Sequence, residues 1–136
     1  IGHSFGSVIA YDALWELGHV EGIEDTLDTF VSMGSPMGLS YVRRDLKGAR
    51  YKGAKQFPIN IRHWRNIAAI GEVTAHHAAL KEMQQTMAAA GWLNEASNHN
   101  EAVNFFRGPD GLNVHKCYGY FYNAETSQII IDWWNA

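Results

Sequence analysis

The string Gly2-His3-Ser4-Phe5-Gly6 constrains this chain more than anything that follows it. A G-x-S-x-G spacing suits a strand that turns abruptly into a helix, with the serine at the tip in a strained backbone conformation and its hydroxyl turned outward. Gly2 and Gly6 are expected to be glycine because a Cβ at either position would collide where strand and helix nearly touch. The amide of Phe5, at the start of the helix, has no intrahelical acceptor and is expected to be available to an anionic oxygen.

The rest of the chain reads as alternating strands and helices. Ser7 to Leu17 is expected to be a helix, with Ile9, Ala13 and Leu17 recurring at i, i+4, i+8, with Val8, Tyr11 and Trp15 widening the apolar face, and with Gly18 as its stop. Thr29 to Met33 reads as a buried parallel strand ended by Gly34-Ser35-Pro36. With a strand ahead of Ser4, the two make a βαβ unit. A second strand is expected over Ile59 to Ile67, then a helix over 75–90 carrying Leu80, Met83, Met87 and Ala90 on one face and closed by Gly91. Gly91 to Asn100 reads as a loop, Glu101 to Phe106 as a third strand, and Arg107 to Gly111 as a turn. A terminal helix over 125–134 is expected to use Asn123 as N-cap and to bury Ile129, Ile130, Trp133 and Trp134. The fold class is therefore α/β, a parallel sheet flanked by helices.

Composition narrows the function classes. Hydrophobic residues make up 46% of 136 positions and the net charge is -3, which suits one packed domain and gives no reason to expect a nucleic-acid partner. One cysteine, Cys117, excludes an internal disulfide and a Cys-rich metal site; a disulfide-free chain is compatible with the cytoplasm. No apolar run is long enough to span a membrane. The stretch 37–58 holds six of the eleven basic residues (Arg43, Arg44, Lys47, Arg50, Lys52 and Lys55). It reads either as a solvated or mobile surface insertion, or as a cap or lid edge whose charges favour acidic substrates or anionic lipid surfaces, with Met37, Leu39 and Tyr41 on its inner side.

Three residue types that act together occur in a telling order: Ser4, then Glu72 just past a strand, then His115 in the loop before the last helix. A serine needs a neutral imidazole to take its proton, and the imidazole needs a carboxylate to hold its tautomer. With Met33-Gly34-Ser35-Pro36, the stretch Trp64 to Val73 and His115 to Tyr120, this order resembles the C-terminal portion of an α/β-hydrolase of the serine esterase or lipase-like kind. That resemblance implies a hydrolase fold whose first strands lie ahead of Gly2, so the sequence is expected to be part of a longer chain. It also implies catalytic Ser4, Glu72 and His115, elbow residues Gly2, Phe5 and Gly6, no metal or organic cofactor, and a small ester or lipid-like substrate.

The chain departs from the family at the acid, which is Asp in many relatives and Glu72 here, and lacks the upstream partner to the Phe5 amide. Asp110 and Asp28 are the rival acids. Plainer roles exist for each residue: Ser4 as a small residue in a glycine-rich turn, Glu72 as a carboxylate at a helix N-terminus, His115 as a solvated loop residue. His63, His76, His77 and His99 read as structural or surface residues, and Asp12 and Glu16 as a solvated pair. A degenerate hydrolase domain serving as an interaction module is the competing class; a basic surface-binding module built on 43–55 is a third.

Overall fold

The computed structural model describes residues 1–72 and 77–136, with the side chains of all of these except His77 and Ala78. Four parallel strands form one sheet in sequence order: β1 (Gly2–His3), β2 (Leu27–Met33), β3 (Ile61–Ala69) and β4 (Glu95–Ala102). Helix α1 (Phe5–His19) connects β1 to β2, α2 (Ser40–Asp45) lies between β2 and β3, and α3 (His77–Ala89) between β3 and β4. A short hairpin, β5 (Arg107–Gly108) with β6 (Gly111–Leu112), leads to α4 (Cys117–Phe121) and α5 (Ala124–Trp134). The molecule is thus a mixed α/β fold with a parallel sheet flanked by helices.

Strand parity divides the core into two layers, because alternate side chains leave a strand on opposite faces. Phe30 and Trp64 point to one face and pack with Tyr11 of α1, with Leu80, Met83 and Met87 of α3, and with Met37, Leu46 and Phe57 from the connection between β2 and β3. Val31, Met33, Ile67 and Ala69 point to the other face, where Tyr120 of α4 and Ile129 of α5 cover them. Trp64 is fully buried, and its indole N–H donates to Ser32, whose hydroxyl donates to Asn66, so these three buried side chains are joined in one hydrogen-bonded chain.

Several elements differ from the sequence expectation. Helix α1 buries Ser7, Tyr11 and Trp15, whereas Ile9 is 69% exposed and Leu17 also reaches solvent. The aromatic stripe wins because Tyr11 packs on Trp64, while the indole N–H of Trp15 donates to the Lys55 carbonyl. Gly18 does not stop this helix, which runs through His19; it faces Ile59, whose side chain an added Cβ would approach to 3.3 Å. The connection 37–58 is neither solvated throughout nor loosely attached: Met37, Val42, Leu46 and Phe57 are buried. Lys47 binds Glu16 and its amide donates to Asp12, so that acidic pair anchors the connection. Gly48 is pressed so close that a Cβ would lie 2.1 Å from the Gln56 carbonyl oxygen.

The third long strand falls on Glu95 to Ala102, in the Asn/Ser-rich stretch expected to be a loop, while Val103 and Phe105 are exposed beyond it. Pairing with β3 supplies what its composition does not: the strand is held by parallel ladder bonds, and Asn98 donates from its side chain to Gln84. Helix α3 ends before Gly91, whose φ of +76° closes it as expected, but Ala90 is exposed rather than packed. Residues 75 and 76, the start of the expected helix and His76 among them, lie outside the described residues. Helix α5 is capped by Asn123, which accepts from the Glu125 amide at 2.8 Å. It buries little of what was expected, however, with Trp133 49% and Trp134 77% exposed, while Ile129 packs partly buried against Val31 and Ile67. No helix among the described residues is long and apolar enough to cross a membrane.

Candidate functional site

Ser4 stands between β1 and α1 at φ +53° and ψ -133°, the only non-glycine residue with positive φ among those described. Such a conformation costs on the order of 1–3 kcal/mol and persists only where the surroundings hold it. They hold it here: the Ser4 amide donates to the Met33 carbonyl at 2.9 Å, and the Ser7 hydroxyl donates to the Ser4 carbonyl at 2.5 Å. Gly2 is obligatory, since a Cβ would lie 2.6 Å from the Ser7 Cα. Gly6 is not, and the expectation fails there: an added Cβ meets nothing within 4 Å, because Gly6 faces solvent while the strand and helix touch through Gly2 and Ser7.

Two residues distant in sequence reach Ser4. His115 Nε2 is 2.8 Å from the Ser4 hydroxyl, and His115 Nδ1 is 2.7 Å from a Glu72 carboxylate oxygen. With its proton on Nδ1, the imidazole donates to Glu72 and accepts from Ser4, a continuous chain from hydroxyl to carboxylate. The Glu72 side chain is only 3% exposed and that of His115 is 37% exposed, so the acid is shielded while the base meets solvent. The rival acids do not take this place. Asp28 sits at the start of β2, about 16 Å from the Met33 end at ~3.3 Å per residue, and accepts from Thr29 instead. Asp110 lies between β5 and β6, and among the described residues it makes no hydrogen bond to His115.

Glu72 is positioned by the strand that ends just before it. Its amide donates to the Ala69 carbonyl at 3.0 Å, and Gly71 turns the chain with φ +82°. Tyr120, fully buried, places its hydroxyl where it accepts from the Ala69 amide at 3.0 Å and donates to Glu72 at 3.4 Å. Burial above all, together with the Glu72 charge, pushes the Tyr120 phenol well up, so it stays a neutral donor. Gly34, at φ +53°, borders the acid–base contact: a Cβ there would come 3.3 Å from Glu72 Oε2 and 3.4 Å from His115 Nδ1.

The loop that presents His115 is tied from three sides. His3 donates from Nε2 to the His115 carbonyl at 2.7 Å and its ring lies 4.9 Å from the His115 ring. The His115 amide donates to the Asn113 side chain. Asn104, 4% exposed, donates to the carbonyls of Val114 and Lys116. Burial lowers the pKa of His3 below the ordinary 6.5, against the opposing effect of its bond to the His115 carbonyl, so it is neutral at neutral pH.

Phe5, the first residue of α1, keeps an amide without an intrahelical acceptor next to Ser4, and its ring is 58% exposed. Met37 belongs to the core and does not line a substrate surface. Among the described residues no group of three or more His, Cys, Asp and Glu side chains gathers to hold a metal ion, and His63 and His99 are engaged with Asp28 and Ser97. The supporting roles of His3, Gly34, Asn104 and Tyr120 were not read from the sequence. A glycine directly after a buried strand marks Gly34 as a turn; nothing local marks Asn104 or Tyr120. No family model, no curated protein and no solved structure matches this chain.

Proposed function

We propose that this chain carries the nucleophile, base and acid of a serine hydrolase of the α/β-hydrolase type, acting on a carboxylic ester. The observation that supports this reading is the unbroken chain Ser4–His115–Glu72, at 2.8 and 2.7 Å, headed by a serine in a strained elbow. In the proposed reaction His115 takes the Ser4 proton as the oxygen attacks the ester carbonyl carbon. The Phe5 amide donates to the oxyanion, and Glu72 stabilises the imidazolium. Collapse breaks the carbon–oxygen bond to the alcohol, which leaves with the proton from His115. Water then attacks the acyl-Ser4 ester, gives its proton to His115, and release of the carboxylic acid restores Ser4.

The test is labelling of the protein with a fluorophosphonate probe, which reacts only with an activated serine. The expected result is one label, absent in Ser4→Ala, and ester turnover abolished in the same variant. Absence of label on the folded wild-type chain overturns the proposal and leaves an interaction module as the better reading. Glu72→Ala is expected to lower turnover by roughly 100-fold or more, while Asp110→Ala and Asp28→Ala leave it near wild type. Loss of activity in Asp110→Ala instead reassigns the acid.

A further inference from the structure

The connection between β2 and β3 carries a second feature, remote from the serine chain in its lining. A cavity of about 450 Å³ opens between α1, α2 and α3, and none of Ser4, Glu72 or His115 borders it. Arg43 and Arg44, on the last turn of α2, both face it, and among the described residues neither is in an ion pair. The Nε of Arg43 and the hydroxyl of Tyr11 are buried with no hydrogen-bond partner among the described residues, and Tyr11 as a whole is 1% exposed. Burial pushes the Tyr11 phenol far above its ordinary pKa, so it is a neutral donor.

Guanidinium groups have donors only, and a buried donor left without an acceptor costs about 1–3 kcal/mol, more when charged. Two such donors and a second arginine converging on one cavity call for an acceptor that brings negative charge. Glu82 is the single carboxylate in the lining and leaves a formal balance of one positive charge there. Leu46, Phe57 and Met83 supply apolar wall beside the polar Ser40, Gln56 and Thr86. From this geometry we propose that the cavity binds a singly charged organic oxyanion, a phosphodiester or a carboxylate, with its charged head on Arg43 and Tyr11 and its short apolar groups against Leu46 and Phe57.

The site is independent of the hydrolase reading, and the experiment keeps the two apart. Dibutyl phosphate and hexanoate are titrated calorimetrically into the complete chain and into its Ser4→Ala variant, with neutral tributyl phosphate as control. Saturable binding of either anion, equal in the two proteins and absent for tributyl phosphate, is the expected result; which anion binds tells phosphodiester from carboxylate. Arg43→Gln is expected to weaken binding about tenfold or more, and Tyr11→Phe by about fivefold, with both variants folded by circular dichroism. Binding of neither anion, equal binding of tributyl phosphate, or unchanged affinity in both variants overturns the proposal.

Discussion

Gly2 and Gly6 look equivalent in the sequence and are not. A methyl group at Gly2 meets backbone at 2.6 Å, which cannot move without opening the elbow, whereas Gly6 faces open space in the first turn of a helix. Gly2→Ala is therefore expected to prevent stable folding. Gly6→Ala is expected to leave activity intact and to raise stability by up to about 1 kcal/mol, the helix preference of Ala over Gly; urea denaturation of the two variants checks both. At the far end of the proposed proton path, Tyr120→Phe removes the hydroxyl that joins the Ala69 amide to Glu72. A buried amide then loses its acceptor, and stability is expected to fall by about 1–3 kcal/mol. Because the carboxylate also loses a donor, turnover is expected to drop with little change in KM, and the acid limb of its pH profile, where the base and its carboxylate partner would be protonated, to move. A purely structural tyrosine would leave that profile in place.

The elements show where pattern reading works and where it fails. Strands β2 and β3 were legible because each carries a β-branched and aromatic run ended by a glycine turn, at Gly34 and Gly71. Strand β4 was not, because Glu95-Ala96-Ser97-Asn98-His99-Asn100 has no apolar alternation. Its place is set by hydrogen bonds to β3, a tertiary term that no local window contains. Helix α1 was legible as a helix but its buried face was misjudged, since two stripes at i, i+4, i+8 competed and the aromatic one found Trp64. The contrast is testable on that helix. Ile9→Lys is expected to change stability by no more than about 0.5 kcal/mol, whereas Trp15→Ala is expected to cost about 3–5 kcal/mol through lost packing and the lost bond to Lys55. Equal effects in thermal unfolding would place the helix in a different rotation.

At the scale of the whole molecule, the serine, acid and base sit on three connections that the parallel sheet gathers at one end: Ser4 after β1, Glu72 after β3, His115 after the hairpin. The three residues were picked out in the sequence by the chain order that the resemblance implies, with Asp110 and Asp28 left as rival acids, but the scaffold that holds His115 was not, because His3 and Asn104 act through backbone carbonyls rather than through any motif. That scaffold makes global stability depend on pH. The pKa of His3 in the folded chain lies below the ordinary 6.5, first because burial disfavours the imidazolium and then because His115 and Lys116 repel it, with the His115 carbonyl and Glu72 opposing. Between the two values the unfolded chain binds the proton and the folded chain does not, so stability rises with pH across that window. The contribution of His3 is complete above 6.5 and is lost as pH falls from 6.5 through the folded value. Urea midpoints measured on both sides of that pH are expected to fall on the acid side in the wild type, and to fall less in His3→Gln, which has no group to protonate. Equal acid sensitivity in the two proteins would mean that His3 titrates in the folded chain as it does in the unfolded one. The acid-labile element would then have to be sought away from the loop that carries His115.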